Sequence, residues 1–256
     1  MKRQNDGSEP RRSAKRSKHG RDFRHGNYAR YYAYRCPGSA LGSCNDARLQ
    51  VFQASWFAGR TCLDIGCNAG LLTVEMAARF GCKRMLGIDL DPRLVEHARE
   101  NLLRRHQKWI DAAATSGARF PALGFKTADI LGEPFAMRSF NVVSCLSVTK
   151  WVHLNHGDNG ITRLFRVIFD VLVEGGLFIL EPQPWGSYKR KYRRLNDKAG
   201  DELRLKPADF PAYLVQIGFT ELRQLSTPPA AAAGGTGFER PIYVMRKPRR
   251  GEVKED

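Results

Sequence analysis

The chain has 256 residues, of which 42% are hydrophobic, so it is long enough to enclose one sizeable core with tails at either end. Its 42 lysines and arginines outnumber 26 acidic residues and give a formal charge of +16, which favours a polyanion such as nucleic acid as a partner. No apolar run approaches the roughly 20 residues of a membrane span, and the six cysteines include no CxxC pair, which argues against membrane-spanning proteins and zinc modules.

The N-terminal segment carries a large share of this charge. Residues 1–25 hold nine Lys or Arg against three acidic residues, and the other +10 belongs to the rest of the chain. We predict a basic disordered tail at 1–24, one domain at 25–247 and a charged tail at 248–256. The run RRSAKRSK in the first tail fits a nuclear localisation signal, an RNA-binding arm or a solvated basic segment.

The first half of the domain reads as two strand-turn-helix units behind a tyrosine-rich segment, NYARYYAYR. RTCLDIGCNAG predicts a strand that runs into a glycine turn, and LLTVEMAARF predicts a helix whose Leu72 and Met76 face a sheet. KRMLGIDLD predicts a second strand, and PRLVEHARENLLRR a second helix with Pro92 at its first position.

The second half continues the alternation after a stretch, HQKWIDAAATSGARFPALG, that we expect to be irregular. A short third strand should end near Asp129, and SFNVVSCLSV predicts the fourth. ITRLFRVIFDVLV predicts an amphipathic helix with Asp158 or Asn159 as N-cap, ended by Gly175 and Gly176. LFILEPQPW predicts a buried fifth strand, and FTELRQLS and RPIYVMRK predict two late strands around the low-complexity loop TPPAAAAGGTG.

Alternating strands and helices predict an α/β fold with a mainly parallel, doubly wound, Rossmann-like sheet. Such sheets bind ligands outside the carboxyl ends of their strands. The polar runs of this sequence that are hardest to explain as core fall at such ends.

The first of these runs, Asp64 to Gly70, predicts a cofactor site. Glycines there let the backbone approach a ligand, and Asp89, 23 positions after Gly66, can bind two ribose hydroxyls at the end of the second strand. A dinucleotide fingerprint needs G-x-G-x-x-G, whereas residue 68 is asparagine. The pattern D-x-G-x-x-x-G is instead similar to the first motif of class I methyltransferases, which bind S-adenosylmethionine; a tight turn in an unrelated α/β protein is the alternative.

The second run, CLSVTKWVHLNHGDNG, follows the fourth strand and predicts the acceptor site. The N-P-P-Y motif typical of adenine or glutamine methyltransferases is absent from this position, whereas Lys150, His153 and the nearby Arg35 suit a phosphate. Most phosphate oxygens are already anionic at neutral pH, so attack on a sulfonium methyl needs no general base. We expect the cations to bind the oxygens that do not attack, because a cation on the attacking oxygen would weaken it as a nucleophile.

Taken with GNYARYYAYR, GIDLD, LEPQPW, LKPADF and GFERPIY, these two runs closely resemble the bicoid-interacting family of methylphosphate capping enzymes, which methylate the γ-phosphate at the 5′ end of small noncoding RNAs. The resemblance covers about Arg24 to Lys247. It implies the class I S-adenosylmethionine-dependent methyltransferase fold, with a seven-stranded sheet, helices on both faces and the tyrosine-rich segment closing over the cofactor.

The resemblance also assigns site residues. It implies cofactor contacts at Tyr32, Arg48, Gly66, Cys67, Asn68, Asp89, Leu90, Asp129, Ile130 and Leu146. It implies phosphate contacts at Tyr31, Arg35, Lys150 and His153. RNA contact is expected at Asn27, Asn155, Gln183, Trp185, Phe238 and Arg240, and the basic run KRKYRRLNDK, which follows EPQPW, adds Lys189 and Arg190. No metal ligand set is predicted.

Two departures from the family pattern leave alternatives open. Cys36 replaces an expected asparagine, and His156 stands where the triphosphate branch often has tryptophan. A histidine resembles the sister branch, which methylates RNA 5′-monophosphates. A noncatalytic RNA-binding chaperone of a small ribonucleoprotein is the third reading.

Overall fold

The computed structural model describes residues 25–26, 28, 31–32, 44, 46–113, 120–188, 203–227 and 240–252. The predicted tail at 1–24 and the low-complexity loop at 228–237 lie outside these ranges. Within them, no helix is both long and apolar enough to cross a membrane.

Seven strands of the described residues form one sheet, in the order β3-β2-β1-β4-β5-β7-β6. Strands β1 to β5 are parallel to one another, and β7 is antiparallel to both β5 and β6. The bounds are β1 Thr61–Ile65, β2 Arg84–Asp89, β3 Ala122–Thr127, β4 Phe140–Leu146, β5 Leu172–Glu181, β6 Thr220–Ser226 and β7 Pro241–Arg246. The predicted doubly wound, mainly parallel α/β sheet is confirmed.

Six α-helices of the described residues cover the two faces of this sheet. They are α1 Arg48–Val51, α2 Ala54–Phe57, α3 Leu71–Phe80, α4 Pro92–Ala113, α5 Thr149–Val171 and α6 Phe210–Ile217. Short 3₁₀ turns follow β5 and precede α6, at Trp185–Ser187 and Pro207–Asp209. Of the helices, α1, α2 and α6 were not predicted.

Alternation of side chains along the central strands divides the core into two layers. On β4, Val143 packs with α5 and α6, whereas Val142 faces the layer that contains α1, α2 and α3. On β5, Phe178 and Ile179 divide in the same way. A strand buried on both faces needs apolar residues at successive positions, which is why these strands read as continuous hydrophobic runs.

Helix α4 is longer than predicted. It continues through Ala113, into the stretch predicted to be irregular, and β3 begins at Ala122 within that stretch. The run HQKWIDAA contains no glycine or proline, so nothing in it ends a helix. An ion pair of 2.9 Å between Arg105 and Glu75 joins α4 to α3.

Helix α5 begins at Thr149 and not, as predicted, near Asp158. Gly157, with φ 63° and ψ −166°, interrupts it and separates a first half, residues 149–156, from the predicted amphipathic half. The helix ends at Val171, before the predicted glycine stop, and Gly175 with φ 74° lies in an irregular stretch of β5. Lys247 Nζ donates to the carbonyls of Phe169 and Leu172 at this end.

Candidate active site

A cavity of 580 Å³ opens at the carboxyl ends of the parallel strands. Its wall takes residues from the turns after β1, β2, β3, β4 and β5 and from the N-terminal segment. The site residues predicted from sequence that line it are Tyr31, Gly66, Asn68, Asp89, Leu90, Asp129, Ile130, Leu146, Lys150, Gln183 and Arg240. The fold thus gathers residues from most of the chain length at the sheet edge where a ligand was expected.

The glycine turn after β1 brings backbone to the cavity wall. Gly66 has φ 73°, and a Cβ there would lie 2.3 Å from Val148 Cγ2, so both the conformation and the space require glycine. Asn68, also left-handed with φ 52°, accepts a hydrogen bond from the Ala69 N–H through its own side chain at 2.8 Å. Such local side-chain bonds are how asparagine tolerates this conformation.

Asp64, at the base of the same turn, is fixed by two hydroxyls. Its carboxylate accepts from Thr73 Oγ1 at 2.5 Å and from Ser144 Oγ at 2.6 Å. Burial raises the pKa of Asp64, while these two hydrogen bonds act in the opposite direction. The aspartate of the motif therefore braces the turn from beneath.

Asp89 presents a carboxylate at the end of β2. Its Oδ2 accepts from the Asn68 N–H at 2.9 Å and its Oδ1 from the Asp91 N–H at 3.0 Å. Burial raises the pKa of Asp89, and the backbone hydrogen bonds counteract that rise. Each carboxylate oxygen has a second lone pair, so the group can still accept hydrogen bonds from two neighbouring hydroxyls.

The wall beyond Asp89 is mostly apolar. Leu90, 45% exposed, and Ile130, 6% exposed, both line the cavity, as does Leu146. Asp129 Oδ1 accepts from the Leu131 N–H at 2.9 Å, which fixes the turn after β3. A flat apolar group with polar atoms at its edge, such as a purine, suits this surface.

Described residues of the N-terminal segment line the cavity and are held there by two contacts. Asn68 Nδ2 donates to the Tyr28 carbonyl at 3.3 Å, and the Tyr28 ring meets the Trp151 ring edge-on with centroids 5.8 Å apart. Gly26 lies so close to Trp151 that a Cβ would be 2.1 Å from the indole nitrogen. Described residues of the tyrosine-rich segment thus line the cavity, and its closure over a cofactor stays a prediction.

Ser147 and Gln183 connect the cavity wall to β5. Ser147 has φ 63°, a conformation that residues other than glycine rarely adopt. Its N–H donates to the Glu181 carbonyl at 2.9 Å, its carbonyl accepts from the Gln183 amide, and its hydroxyl accepts from Arg240 Nη1 at 2.8 Å. Backbone strain held by several bonds is common at functional sites.

Two cations, Lys150 and Arg240, line the cavity near this strained residue. Lys150 Nζ lies 4.6 Å from the centre of the Trp151 ring, and the Lys150 N–H donates to Gln183 Oε1 at 3.0 Å. Arg240 Nη1 lies 3.7 Å from Glu181 Oε1. His156 is exposed and also borders the cavity. A wall with two cations suits an anionic ligand.

Several predicted site residues lie behind the wall. Arg48 is fully enclosed, with its guanidinium 2.7 Å from both Asp46 and Glu181. The side chain of Tyr32 is buried with the helices of one face, and that of Cys67 is buried in the cluster between α3, α4 and β3. These three would act on a cofactor through the groups that they support and not by direct side-chain contact.

His153, predicted to contact phosphate, also turns away from the cavity. Its side chain is 0% exposed, its Nε2 lies 2.6 Å from Asp158 Oδ1, and its ring meets the Tyr188 ring edge-on at 5.7 Å. Burial lowers the pKa of His153, although the hydrogen bond to Asp158 opposes that shift. We correct the expectation accordingly: a ring enclosed in this way stabilises α5 and has no access to a ligand.

The remaining predictions for RNA contact divide between two groups. Asn155 Nδ2 donates to the Trp151 carbonyl at 2.7 Å, and the half-buried Trp185 ring packs on Tyr188 with centroids 4.9 Å apart; neither lines the cavity. The others, Asn27, Lys189, Arg190 and Phe238, lie outside the described residues, as does Arg35, which was predicted to contact phosphate.

Sequence reasoning missed some of the wall. Ser147 and Val148 follow β4 directly, and the rule that ligands bind at carboxyl strand ends could have indicated them. His25 precedes the tyrosine-rich segment and Tyr28 belongs to it, and both line the cavity. No spacing rule could have shown which residues in this part of the sequence face the cavity. Among the described residues, no cluster of His, Cys, Asp and Glu could hold a metal ion.

The residues present fit S-adenosylmethionine. Asp89 can accept from ribose hydroxyls, Leu90 and Ile130 offer apolar surface for adenine, and the backbone at Gly66 is bare where a side chain would intrude. The glycine turn holds no phosphate-binding fingerprint, which agrees with a cofactor that has no phosphate.

Comparison with known proteins agrees with this chemistry. The chain matches the profile of the Bicoid-interacting protein 3 (Bin3) family over residues 140–247 and a methyltransferase domain profile over residues 63–180. It is 35% identical to the 7SK snRNA methylphosphate capping enzyme of Homo sapiens over 90% of this chain, but it spans only 40% of the length of that enzyme.

Two other relatives align with this chain over most of their own length. The U6 snRNA methylphosphate capping enzyme of Drosophila melanogaster is 34% identical, with 88% of this chain and 75% of that protein aligned. The RNA 5′-monophosphate methyltransferase of Rattus norvegicus is 33% identical, with 75% of this chain and 70% of that protein aligned.

A solved structure shares the fold. The N-methyltransferase NodS of Bradyrhizobium japonicum, in complex with S-adenosylhomocysteine, has a TM-score of 0.59 and 17% identity, covering 89% of this chain and all of NodS. The predicted class I methyltransferase fold is confirmed.

Proposed function

Because the chain belongs to the Bicoid-interacting protein 3 family of RNA methyltransferases, we propose that it transfers a methyl group from S-adenosylmethionine to the γ-phosphate at the 5′ triphosphate end of a small noncoding RNA. One observation supports this most directly. A single cavity joins the carboxylate of Asp89 to the cations Lys150 and Arg240, so a nucleoside-bearing cofactor and a polyanion can meet there.

The reaction requires little of the protein except that it position the phosphate against the methyl group of the cofactor. When bound, S-adenosylmethionine supplies an electrophilic methyl group on a sulfonium. The second pKa of a terminal phosphate is about 6, so its oxygens are mostly anionic at neutral pH and need no general base. The protein's task is to hold the acceptor oxygen in line with the methyl carbon, because orientation alone can lower such a barrier substantially.

The cations would hold the oxygens that do not attack. Arg240 is fixed by Ser147 and Glu181, and Lys150 by its place on the first turn of α5. Fixed cations neutralise charge without reorganising at the moment of reaction. The apolar residues Ile130, Leu146 and Val148 would exclude water from the reacting atoms.

Methylation of a 5′ monophosphate is the second candidate. His156 borders the cavity at the position where this branch is expected to carry histidine, and the rat relative bears that activity in its name. Fewer observations support methylation of a monophosphate than of a triphosphate. The 7SK and U6 capping enzymes, which support the triphosphate, align with more of this chain.

Location and partners follow from the same proposal. The 7SK and U6 relatives modify small nuclear RNAs by name, and the basic run RRSAKRSK fits a nuclear localisation signal, so we propose a nuclear enzyme. The basic run at 189–198 would bind RNA backbone, and we propose ribonucleoprotein proteins as further partners. The tails at 1–24 and 248–256 would lie outside the catalytic domain.

The test is a methyl-transfer assay with one short guanosine-initiated RNA that carries a 5′ triphosphate, monophosphate or hydroxyl. We expect label from S-adenosylmethionine only on the triphosphate RNA, released when the terminal phosphate is cleaved. Label on the monophosphate RNA would establish the second candidate instead. Tight RNA binding without transfer to any of the three would indicate a noncatalytic chaperone.

A further inference from the structure

Helix α5 is broken beside the candidate active site. Gly157 has φ 63° and ψ −166°, and a Cβ at this position would meet nothing within 4 Å, so its backbone conformation and not space calls for glycine. The first half, residues 149–156, carries Lys150, Trp151 and His156 into the cavity wall. The second half is anchored in the core by fully buried residues such as Phe165.

Because of this break, the direction of one half of the helix does not determine the direction of the other half. Continuous helical hydrogen bonding would fix both together, but a non-helical residue between them does not. Another contact must therefore set where the first half, and with it Lys150, stands in the wall.

The carboxylate of Asp158 makes one such contact, and it joins the two halves directly. Its Oδ1 lies 2.6 Å from His153 Nε2 in the first half, and its Oδ2 accepts from the N–H groups of Arg204 at 3.0 Å and Leu205 at 3.2 Å. One side chain thus joins the first half of α5, the second half and the segment that leads into α6. Burial alone would raise the pKa of Asp158, but the hydrogen bonds from His153 and the two backbone donors outweigh it and lower the pKa.

The partner of this carboxylate is held from the other side. His153 is 0% exposed and lies between the rings of Tyr188 and Phe210, with centroid separations of 5.7 Å and 6.1 Å. A histidine packed so tightly cannot follow a carboxylate that moves. The pair therefore helps to fix the first half-helix, beside the hydrogen bond from the Lys150 N–H to Gln183 Oε1.

We propose that Asp158 is a positioning residue for the RNA 5′ end: through His153 it sets the first half of α5, and so the place of Lys150 at the phosphate. The inference rests on the proposed function, because it assigns to Lys150 the task of holding the RNA phosphates. The proposed role concerns the RNA and not the cofactor, since the cofactor residues Gly66 and Asp89 stand at the ends of β1 and β2 and not on α5.

The experiment compares Asp158→Asn with the wild type in methyl transfer to the 5′-triphosphate RNA and in calorimetric binding of S-adenosylhomocysteine. We expect the KM for RNA to rise about tenfold, since small misplacements at a site have effects of this size or larger. The dissociation constant of S-adenosylhomocysteine should stay within about twofold, because a mutation has little effect at a separate site with which it shares no contacts. Asp170→Asn, an exposed aspartate in the second half of α5, is the matched control and should change neither value.

A second pair of variants separates positioning from folding. His153→Gln keeps an N–H that can donate to Asp158, whereas His153→Leu removes it. Positioning predicts a KM for RNA near the wild-type value in the glutamine variant and a raised value in the leucine variant; this pair decides the question if Asp158→Asn fails to fold.

Three results would overturn the inference. An unchanged KM for RNA in Asp158→Asn with intact cofactor binding would do so while leaving the proposed function in place. Equal KM values in the two His153 variants would do the same. Failure of the wild-type protein to methylate any RNA would overturn the proposed function, and this inference with it.

Discussion

The Arg48 guanidinium lies 2.7 Å from the Glu181 carboxylate, and both side chains are 1% exposed. Asp46 binds the same guanidinium at 2.7 Å, and Glu181 also lies 3.7 Å from Arg240 in the cavity wall. A buried cation between two carboxylates is therefore linked to the strand that supports the candidate phosphate site. Burial on this scale is tolerated because the charges neutralise one another.

Arg48→Met should be strongly destabilising. The substitution would leave Asp46 and Glu181 buried without their shared cation, and breaking a buried ion pair by removing one partner costs about 3–5 kcal/mol. For a domain of this size the Tm should fall by roughly 10 °C. Thermal melts would measure it, with Arg93→Met as control because Arg93 is 70% exposed. Equal melting temperatures for the two variants would contradict the prediction.

Asp89→Asn should weaken cofactor binding. The carboxylate accepts from two backbone N–H groups, and an amide would place a donor against one of them while losing the charge that attracts ribose hydroxyls. Hydrogen bonds to charged groups contribute about 1.5–3 kcal/mol, so the dissociation constant of S-adenosylhomocysteine should rise about 10- to 100-fold. Calorimetry would test this against Glu96→Gln, an exposed change on α4. Similar constants for both proteins would show that Asp89 does not bind the cofactor.

Gly26→Ala should release the N-terminal segment from the site. Gly26 has φ 72°, and the added Cβ would lie 2.1 Å from the Trp151 indole nitrogen. Gly59→Ala is a matched control, because φ is 69° there but the space is open, so both variants carry the left-handed cost of about 1–2 kcal/mol. Only Gly26→Ala should weaken S-adenosylhomocysteine binding in calorimetry. Equal affinities would mean that the segment does not help to hold the cofactor.

How much of this was predictable depends on sequence separation. The strand, the glycine turn and Asp89 are visible because their signals lie within a few residues or at a regular spacing along one βαβ unit. The burial of Arg48 could not be predicted, because its partner Glu181 is 133 positions away and the family resemblance had assigned Arg48 to the cofactor.

The same limit explains the second half of the site. Lys150 and His153 occur in one polar run, which was interpreted as a set of ligand contacts after a strand. The run is helical, so its side chains point in different directions, and burial decides which of them meets the cavity. Gly157 could have indicated a break but not that a helix precedes it.

Lys150→Met should affect RNA binding more than turnover. A cation that holds the non-attacking phosphate oxygens contributes to affinity, and each lost phosphate contact lowers the slope of log affinity against log salt by about 1. We therefore expect a higher KM for the triphosphate RNA, a weaker salt dependence and nearly unchanged kcat. Lys83→Met, an exposed change just before β2 at the opposite edge of the sheet, serves as control. Lost turnover with unchanged RNA affinity would show that Lys150 acts on the reacting oxygen.

His153 should make the stability of the fold depend on pH. An unfolded histidine has a pKa of about 6.5, whereas burial lowers the pKa of His153 in the native state. Below the unfolded pKa the unfolded chain therefore binds the additional proton, and stability falls as the pH falls from neutral towards the lowered native pKa. The lowered pKa of Asp158 confines its own contribution to more acidic conditions.

The measurement is the free energy of unfolding by urea, between pH 7.5 and 5.5, for the wild type and His153→Gln. One group can contribute a slope of at most about 1.4 kcal/mol per pH unit, and the wild-type curve should be steeper than that of the variant by up to this amount. Comparing the two proteins removes the contributions of the other histidines. Parallel curves would mean that His153 takes up a proton in the native state as readily as in the unfolded chain, and so that its contact with Asp158 offsets its burial.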